Sequence, residues 1–183
     1  MEWLLQLDGQ ILLWIQEYLR FPVLTEFFTK FTRLGDFGLI WITLGLLLFI
    51  SKKTRRAGVL VLASLLGSLV LNNLFLKNLV ARTRPYEVVD GLKLLIAAQS
   101  DYSFPSGHAG SSFAAATAIF LTLPRKYGIP ALTGAALIGF SRLYVGVHYP
   151  TDVFVGTASG ILIAVILYQI FTRFVWKKSG QYE

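Results

Sequence analysis

Several stretches of this chain are too long and too apolar to coat a soluble protein. Residues 57–79, 108–123, 130–147 and 152–175 each come near the roughly 20 apolar residues with which a helix crosses a bilayer core. Residues 37–50 ("FGLIWITLGLLLFI") are shorter and reach the same length if Asp36 and Ser51 lie at the interfaces. The remaining composition leaves little surface to solvate: 55% of residues are hydrophobic and 15% are charged, against about 25% charged in soluble domains. These runs predict an all-α, polytopic membrane helix bundle with five transmembrane helices, forming one domain over residues 1–183. The one long interruption, 80–105, is polar and rich in turn residues.

The first 33 residues read differently. "MEWLLQLDGQILLWIQEYLR" mixes Asp8, Gln10, Gln16, Glu17 and Arg20 with apolar residues at 4, 7, 11, 12, 15, 18 and 19. That is helical spacing, and Pro22 is expected to stop the helix. The region 1–33 is thus expected to form N-terminal amphipathic helices lying at the interface or packed on the bundle, with a sixth span as the alternative. It has neither the basic start nor the small-residue cleavage site of a signal peptide.

Charge assigns the faces. Lys and Arg collect in cytoplasmic connections. Lys52, Lys53, Arg55 and Arg56, then Arg125 and Lys126, then Arg173, Lys177 and Lys178, all fall on one face of five hairpinned spans. The expected arrangement is a multi-pass protein of the cell membrane with a cytoplasmic C-terminus and with residues 77–105 and 148–151 outside. These connections account for much of the +7 net charge, so no nucleic-acid partner is implied. The chain has no cysteine, which excludes disulfides, thiolate metal sites and a cysteine nucleophile.

Unusual polar residues gather on the outer face. Lys77 and Arg84 are seven residues apart, two helical turns, and share a face if the helix continues; Pro85 disfavours helical geometry at Arg84. Arg82 falls on another side, like an ordinary interfacial charge. Further on, Pro105, Ser106, Gly107 and His108 open a span, and a helix start presents free N–H groups and partial positive charge to an anion. The second of the two histidines, His148, follows Arg142 by six residues and precedes Asp152 by four. On a continuous helix Arg142 and His148 point apart, so Gly146 and Pro150 imply a turn. Asp152 can cap the next helix and accept the His148 Nδ1 proton.

Singly, these features have bland structural explanations: a snorkelling lysine, a capped helix, an interfacial histidine. Jointly they form a chemical set. Two arginines, a lysine and a helix start hold a dianionic phosphate. One histidine oriented by a carboxylate can attack phosphorus, and the other can protonate the departing oxygen. Nothing in the set calls for a metal or other cofactor.

Lys77-x6-Arg84-Pro85, then Pro105-Ser106-Gly107-His108, then Ser141-Arg142-x5-His148-x3-Asp152 resembles the three-part signature of the type 2 phosphatidic acid phosphatase (PAP2) superfamily, over about residues 30–175. The resemblance implies a metal-independent lipid phosphatase with a phosphohistidine intermediate. It makes His148 the nucleophile, Asp152 its orienting partner and His108 the general acid. Lys77, Arg84, Ser106, Gly107 and Arg142 would hold the phosphate oxygens. Small bacterial proteins of this kind resemble phosphatases of undecaprenyl pyrophosphate or of phosphatidylglycerophosphate. The partners implied are a lipid phosphate or pyrophosphate and the bilayer, and residues 86–104 can form only a lip over the site. Phosphotransfer to another acceptor would use the same residues. A transport pathway would place its charges nearer mid-membrane, and a vanadate-dependent haloperoxidase would be larger and soluble.

Overall fold

The computed structural model describes residues 2–176, and over them the chain is helical without a strand. Lys177 and Lys178, counted above among the cytoplasmic charges, lie outside the described residues. Helix α1 is Glu2–Leu19 and α2 is Pro22–Phe31; a 3-10 stretch, Thr32–Gly38, leads into α3, Leu39–Ile50. Helix α4, Arg55–Ser68, runs through a π-helical stretch, Leu69–Leu76, into α5, Lys77–Val80. Then come the single turn α6, Pro85–Val88, and three long helices: α7, Gly107–Thr122, α8, Arg125–Tyr144, and α9, Pro150–Ile170, extended by a π-helical turn to Val175.

Among the described residues three helical runs are long and apolar enough to cross a membrane: Pro22–Ile50, the run that starts at Arg55, and Pro150–Val175. The expected spans at 108–123 and 130–147 are helices too, though neither is among these three runs. Helix α7 is the centre of the bundle. Its Ala109, Ala114, Ala115, Ala116 and Ala118 are fully buried, and Trp41, Leu60, Val61, Ile138 and Ala164 close the core around it. Small residues let backbones approach where lipid tails supply no hydrophobic drive between helices. A Cβ at Gly156 of α9 would come within 2.6 Å of the Ser106 carbonyl, and one at Gly160 would collide with the Gly110 carbonyl. Any side chain there would push α9 off α7 and open the end of the bundle where the polar residues sit.

The N-terminal third departs from the expected division. Pro22 does not merely end the first helix; it stands at the first position of α2, where its missing N–H costs nothing. Helix α2 leads into the 3-10 stretch, which is broken at Asp36 and Phe37 before α3 begins, so the candidate run Pro22–Ile50 is two helices across a kink, and the expected span 37–50 falls in its second part. Helix α1 does pack on the bundle, but along a stripe of Asp8, Leu12 and Ile15, against Leu92, Tyr149 and Tyr144. Leu4, Leu7 and Tyr18, apolar members of the predicted stripe, are exposed. A carboxylate sits in the buried face instead.

Candidate active site

Lys77 and Arg84 do meet, though not by sharing a helix face. The π-helical turn ahead of Lys77 closes on the Asn72 carbonyl, and helix α5 stops at Ala81, which takes a left-handed φ of 47°. Arg84 then returns from an extended N-cap position before Pro85. What joins the two cations is Asp101, on the connection into α7. Its Oδ2 accepts from Lys77 Nζ at 2.5 Å, its Oδ1 from Arg84 Nη2 at 2.5 Å, and its backbone carbonyl from Arg84 Nε at 3.0 Å. Burial alone would raise the Asp101 carboxyl; the hydrogen bond and charge of Lys77, then the charge of Arg84, outweigh it and hold the group at about 2. This carboxylate, half exposed, sits on two of the three cations expected to hold phosphate.

The start of α7 forms as expected. Ser106 is its N-cap, with Oγ accepting from the Ala109 N–H at 3.4 Å, and Gly107 lies against the Asn73 amide. His108 Nε2 stands 3.0 Å from Asp36 Oδ1. Asp36 reaches it because the chain kinks between α2 and α3: Asp36 is extended, and Phe37 and Gly38 follow with φ of 53° and 67°. Gly35 lets this kink approach, since a Cβ there would collide with the His108 ring.

Arg142, His148 and Asp152 converge through the turn the sequence implied. Helix α8 ends at Tyr144, Gly146 takes a φ of 82°, and α9 starts at Pro150. Arg142 is buried and donates through Nη1 to Thr32 Oγ1 at 2.7 Å; its Nε finds no partner among the described residues. His148 Nδ1 is 3.5 Å from Asp152 Oδ2, while Arg84 Nη1 lies 3.1 Å from Nε2 and 3.4 Å from Nδ1. A carboxylate only accepts, so the ring proton belongs on Nδ1, toward Asp152. That tautomer leaves a lone pair on Nε2 facing the cations. Burial pushes His148 down to about 3, with Arg84 and Arg142 acting the same way and Asp152 opposing. It is therefore neutral. Asp152 Oδ2 also accepts from Ser103 Oγ at 2.5 Å and from the Tyr149 N–H at 2.9 Å.

Lys77, Arg84, Gly107, His108, Arg142 and His148 all line one cavity of about 570 Å³. Ser106 and Asp152 stand behind that wall, as cap and as partner to His148. The opposite wall is apolar: Ile42 of α3 and Leu62, Leu65, Leu66 and Leu69 of α4 and its extension. Leu66 and Leu69 also face the exterior of the bundle, so this side of the cavity reaches the apolar outer surface of the helices. Asp36, Asp101 and Arg82 were not among the expected site residues. Arg82 is no ordinary interfacial charge: it pairs with Asp152 at 2.7 Å and with Asp8 at 2.8 Å. The signal that could have found Asp8 was an isolated carboxylate on an apolar helical stripe, which is costly to bury without a partner.

Comparison with known proteins gives the family. A family model described as the PAP2 superfamily matches residues 57–176. The undecaprenyl-diphosphatase of Sulfolobus acidocaldarius is 37% identical over 142 residues, covering 78% of this chain and 68% of that protein. Among solved structures, LpxE of Aquifex aeolicus superposes with a TM-score of 0.77 at 31% identity, over 90% of this chain and 94% of the other. The transmembrane PAP2-type phosphatidylglycerolphosphate phosphatase of Bacillus subtilis also gives 0.77, at 28% identity, over all of this chain and 90% of the other.

Proposed function

This chain belongs to the PAP2 superfamily, and we propose that residues 1–183 form one membrane phosphatase domain that hydrolyses a lipid phosphate or pyrophosphate through a phosphohistidine. The observation that carries the reading is the cavity: three cations, two histidines and a helix start line it together with the apolar side chains of Ile42, Leu62, Leu65, Leu66 and Leu69. A lipid phosphate has that polarity.

The substrate's outer phosphate lies between Lys77, Arg84 and Arg142, with the Ser106 and Gly107 end of α7 beneath it. His148 Nε2 attacks phosphorus while Asp152 holds the Nδ1 proton and the ring's orientation. The bond from phosphorus to the lipid oxygen breaks, and that oxygen takes a proton from His108. Water then attacks the phosphohistidine, gives its proton to His108, and inorganic phosphate leaves with His148 restored. The fixed cations neutralise the developing charge, so the reaction proceeds without a metal.

In the membrane, α7 and α8 cross with the other three spans, giving five. Arg56 lies over the Trp176 ring at 5.8 Å, which joins the start of α4 to the end of α9, the end away from the site. This basic end is cytoplasmic, the C-terminus follows it, and the site faces outward. An isoprenyl pyrophosphate is the first choice of substrate. An outward site supports it, as does the name of the Sulfolobus relative; a glycerolipid phosphate is second. The test is phosphate release in detergent with EDTA from undecaprenyl pyrophosphate, phosphatidylglycerophosphate and phosphatidic acid, by wild type and His148→Ala. Release by the wild type alone supports the reading and ranks the lipids. Release by neither, or equally by both, overturns it.

A further inference from the structure

Asp152 divides its two oxygens between opposite sides. Oδ2 faces the chemistry: His148, Ser103 and the Tyr149 N–H. Oδ1 faces away, and Arg82 Nη1 donates to it at 2.7 Å. The same guanidinium donates through Nη2 to Asp8 Oδ2 at 2.8 Å and through Nη1 to Thr151 Oγ1 at 2.7 Å, and it lies 3.7 Å over the Tyr149 ring. Asp8 also accepts from the Thr151 N–H at 3.1 Å and from its hydroxyl at 2.5 Å. Both carboxylates are buried, Asp8 at 2% exposure and Asp152 at none.

This chain of contacts runs from the reacting histidine to a helix about 140 residues earlier in sequence. Helix α1 also bonds the connection ahead of α7, through Gln16 to the Gly91 carbonyl and the Lys93 N–H, but those contacts are exposed, whereas a buried carboxylate is retained only where it is paired. We propose that Arg82 and Asp8 are positioning residues of the phosphatase site: an Asp–Arg–Asp relay by which α1 fixes the Asp152 carboxylate and sets the charge behind His148. The proposal rests on the phosphatase reading above. Arg82 orients Asp152 from behind and draws its charge away from His148; Asp8 in turn offsets Arg82. The other charged and titratable groups facing the pair are Arg84 ahead of α6, His108 of α7, Arg142 of α8, and Tyr149. They are common to every variant below, so the two substitutions isolate the relay.

The signs are opposite for the two ends. Removing Arg82 leaves two buried carboxylates unopposed, which favours a protonated His148 and moves the acid limb of kcat/KM up, by about one pH unit. Removing the charge of Asp8 frees Arg82 to act on Asp152 alone, and the acid limb moves down. A merely structural contact gives no such reversal.

The experiment uses the full chain in detergent, with phosphate release from undecaprenyl pyrophosphate measured from acidic to mildly alkaline pH for wild type, Arg82→Ala, Arg82→Lys and Asp8→Asn. Arg82→Ala is expected to lose about 10- to 100-fold in kcat, as partners that orient a reacting group do, with KM little changed and with partial recovery in guanidinium chloride at millimolar levels. Asp8→Asn loses less, and Arg82→Lys falls between. If Arg82→Ala does not fold, the downward shift of the acid limb in Asp8→Asn decides, with the charge-keeping Arg82→Lys, whose limb stays in place, as its control. Acid limbs that do not move in Arg82→Ala and Asp8→Asn, or that move in the same direction in those two, overturn the proposal, as does wild-type kcat in Arg82→Ala. Failure of the phosphatase reading looks different: no release by the wild type, or undiminished release by His148→Ala.

Discussion

Two histidine–carboxylate pairs face the same cavity, and they are built to opposite specifications. His148 and Asp152 are enclosed, and Ser103, the Tyr149 N–H and Arg82 all hold the carboxylate. His108 meets Asp36 through one contact at 3.0 Å, and the Asp36 side chain is 48% exposed. Asp36 also rides on a kink in which Phe37, a non-glycine residue, takes a φ of 53°, a conformation that costs on the order of 1 kcal/mol or more and persists where function requires it. The difference matches the two jobs proposed for them. A nucleophile that must form a bond to phosphorus is best held still and kept neutral. A proton donor that must follow a departing oxygen toward the lipid is better placed on a support with room to adjust.

The largest expected effect breaks the enclosed pair. His148→Ala removes the proposed nucleophile, and turnover is expected to fall about 10⁴-fold or more, as for other lost nucleophiles. Phosphate release in detergent measures it, and residual activity of a few per cent would return the nucleophile to open question. His108→Ala tests the looser pair by its selectivity. The loss is expected to reach about 10²- to 10⁴-fold for alkyl phosphates, whose leaving oxygen needs a proton, and to shrink for a nitrophenyl ester, whose oxygen does not. Equal losses on both would contradict the contrast drawn between the pairs.

Asp36→Asn sharpens the same contrast. If Asp36 serves only to orient His108, the variant keeps a hydrogen-bonding group in place and loses charge. It is expected to fall about tenfold on alkyl phosphates and hardly at all on the nitrophenyl ester, by the reasoning that applies to outer partners of reacting groups. The profile across leaving groups is the measurement. A uniform loss would assign Asp36 to the kink itself rather than to the histidine.

How far the sequence could be read depends on the range of each interaction. The cap at Ser106, the turn between Arg142 and Asp152, and helices near 57–79, 108–123, 130–147 and 152–175 are local properties, set by Pro, Gly and apolar runs within a few residues. Helices stand at each of these places in the structure, though α8 starts at Arg125 and ends at Tyr144, ahead of the expected 130–147. The partners of the motif residues are not local. Asp36 reaches His108 across 72 positions and Asp8 reaches Arg82 across 74, and no periodicity encodes such pairings. Arg82 shows why extrapolation fails. Placing it by helical angle from Lys77 assumes that the helix continues, but Ala81 leaves the right-handed region. Beyond that point a residue's direction is set by packing. Pro22 misleads for a related reason, since a proline can open a helix as readily as it stops one.

Asp101 gives the smallest effect and the sharpest question about the cations that serve both pairs. It holds Lys77 and Arg84 where phosphate oxygens would bind, so substrate must displace it. Asp101→Asn is then expected to tighten inhibition by vanadate about two- to fivefold, the worth of a half-exposed ion pair. Weaker inhibition in the variant would mean instead that Asp101 organises the cations for the anion. The pH dependence separates competition from titration. Because the carboxyl is held at about 2, below its ordinary 3.8, it stays ionised from neutral pH down to well below 5 and its competition does not fade on acidification. The ratio of wild-type to variant inhibition constants is therefore expected to be the same at neutral and mildly acidic pH, while each constant follows the ionisation of vanadate. A ratio that collapses toward one on acidification would show that Asp101 is released by protonation, and that its bonds to Lys77 and Arg84 are weaker than their geometry implies.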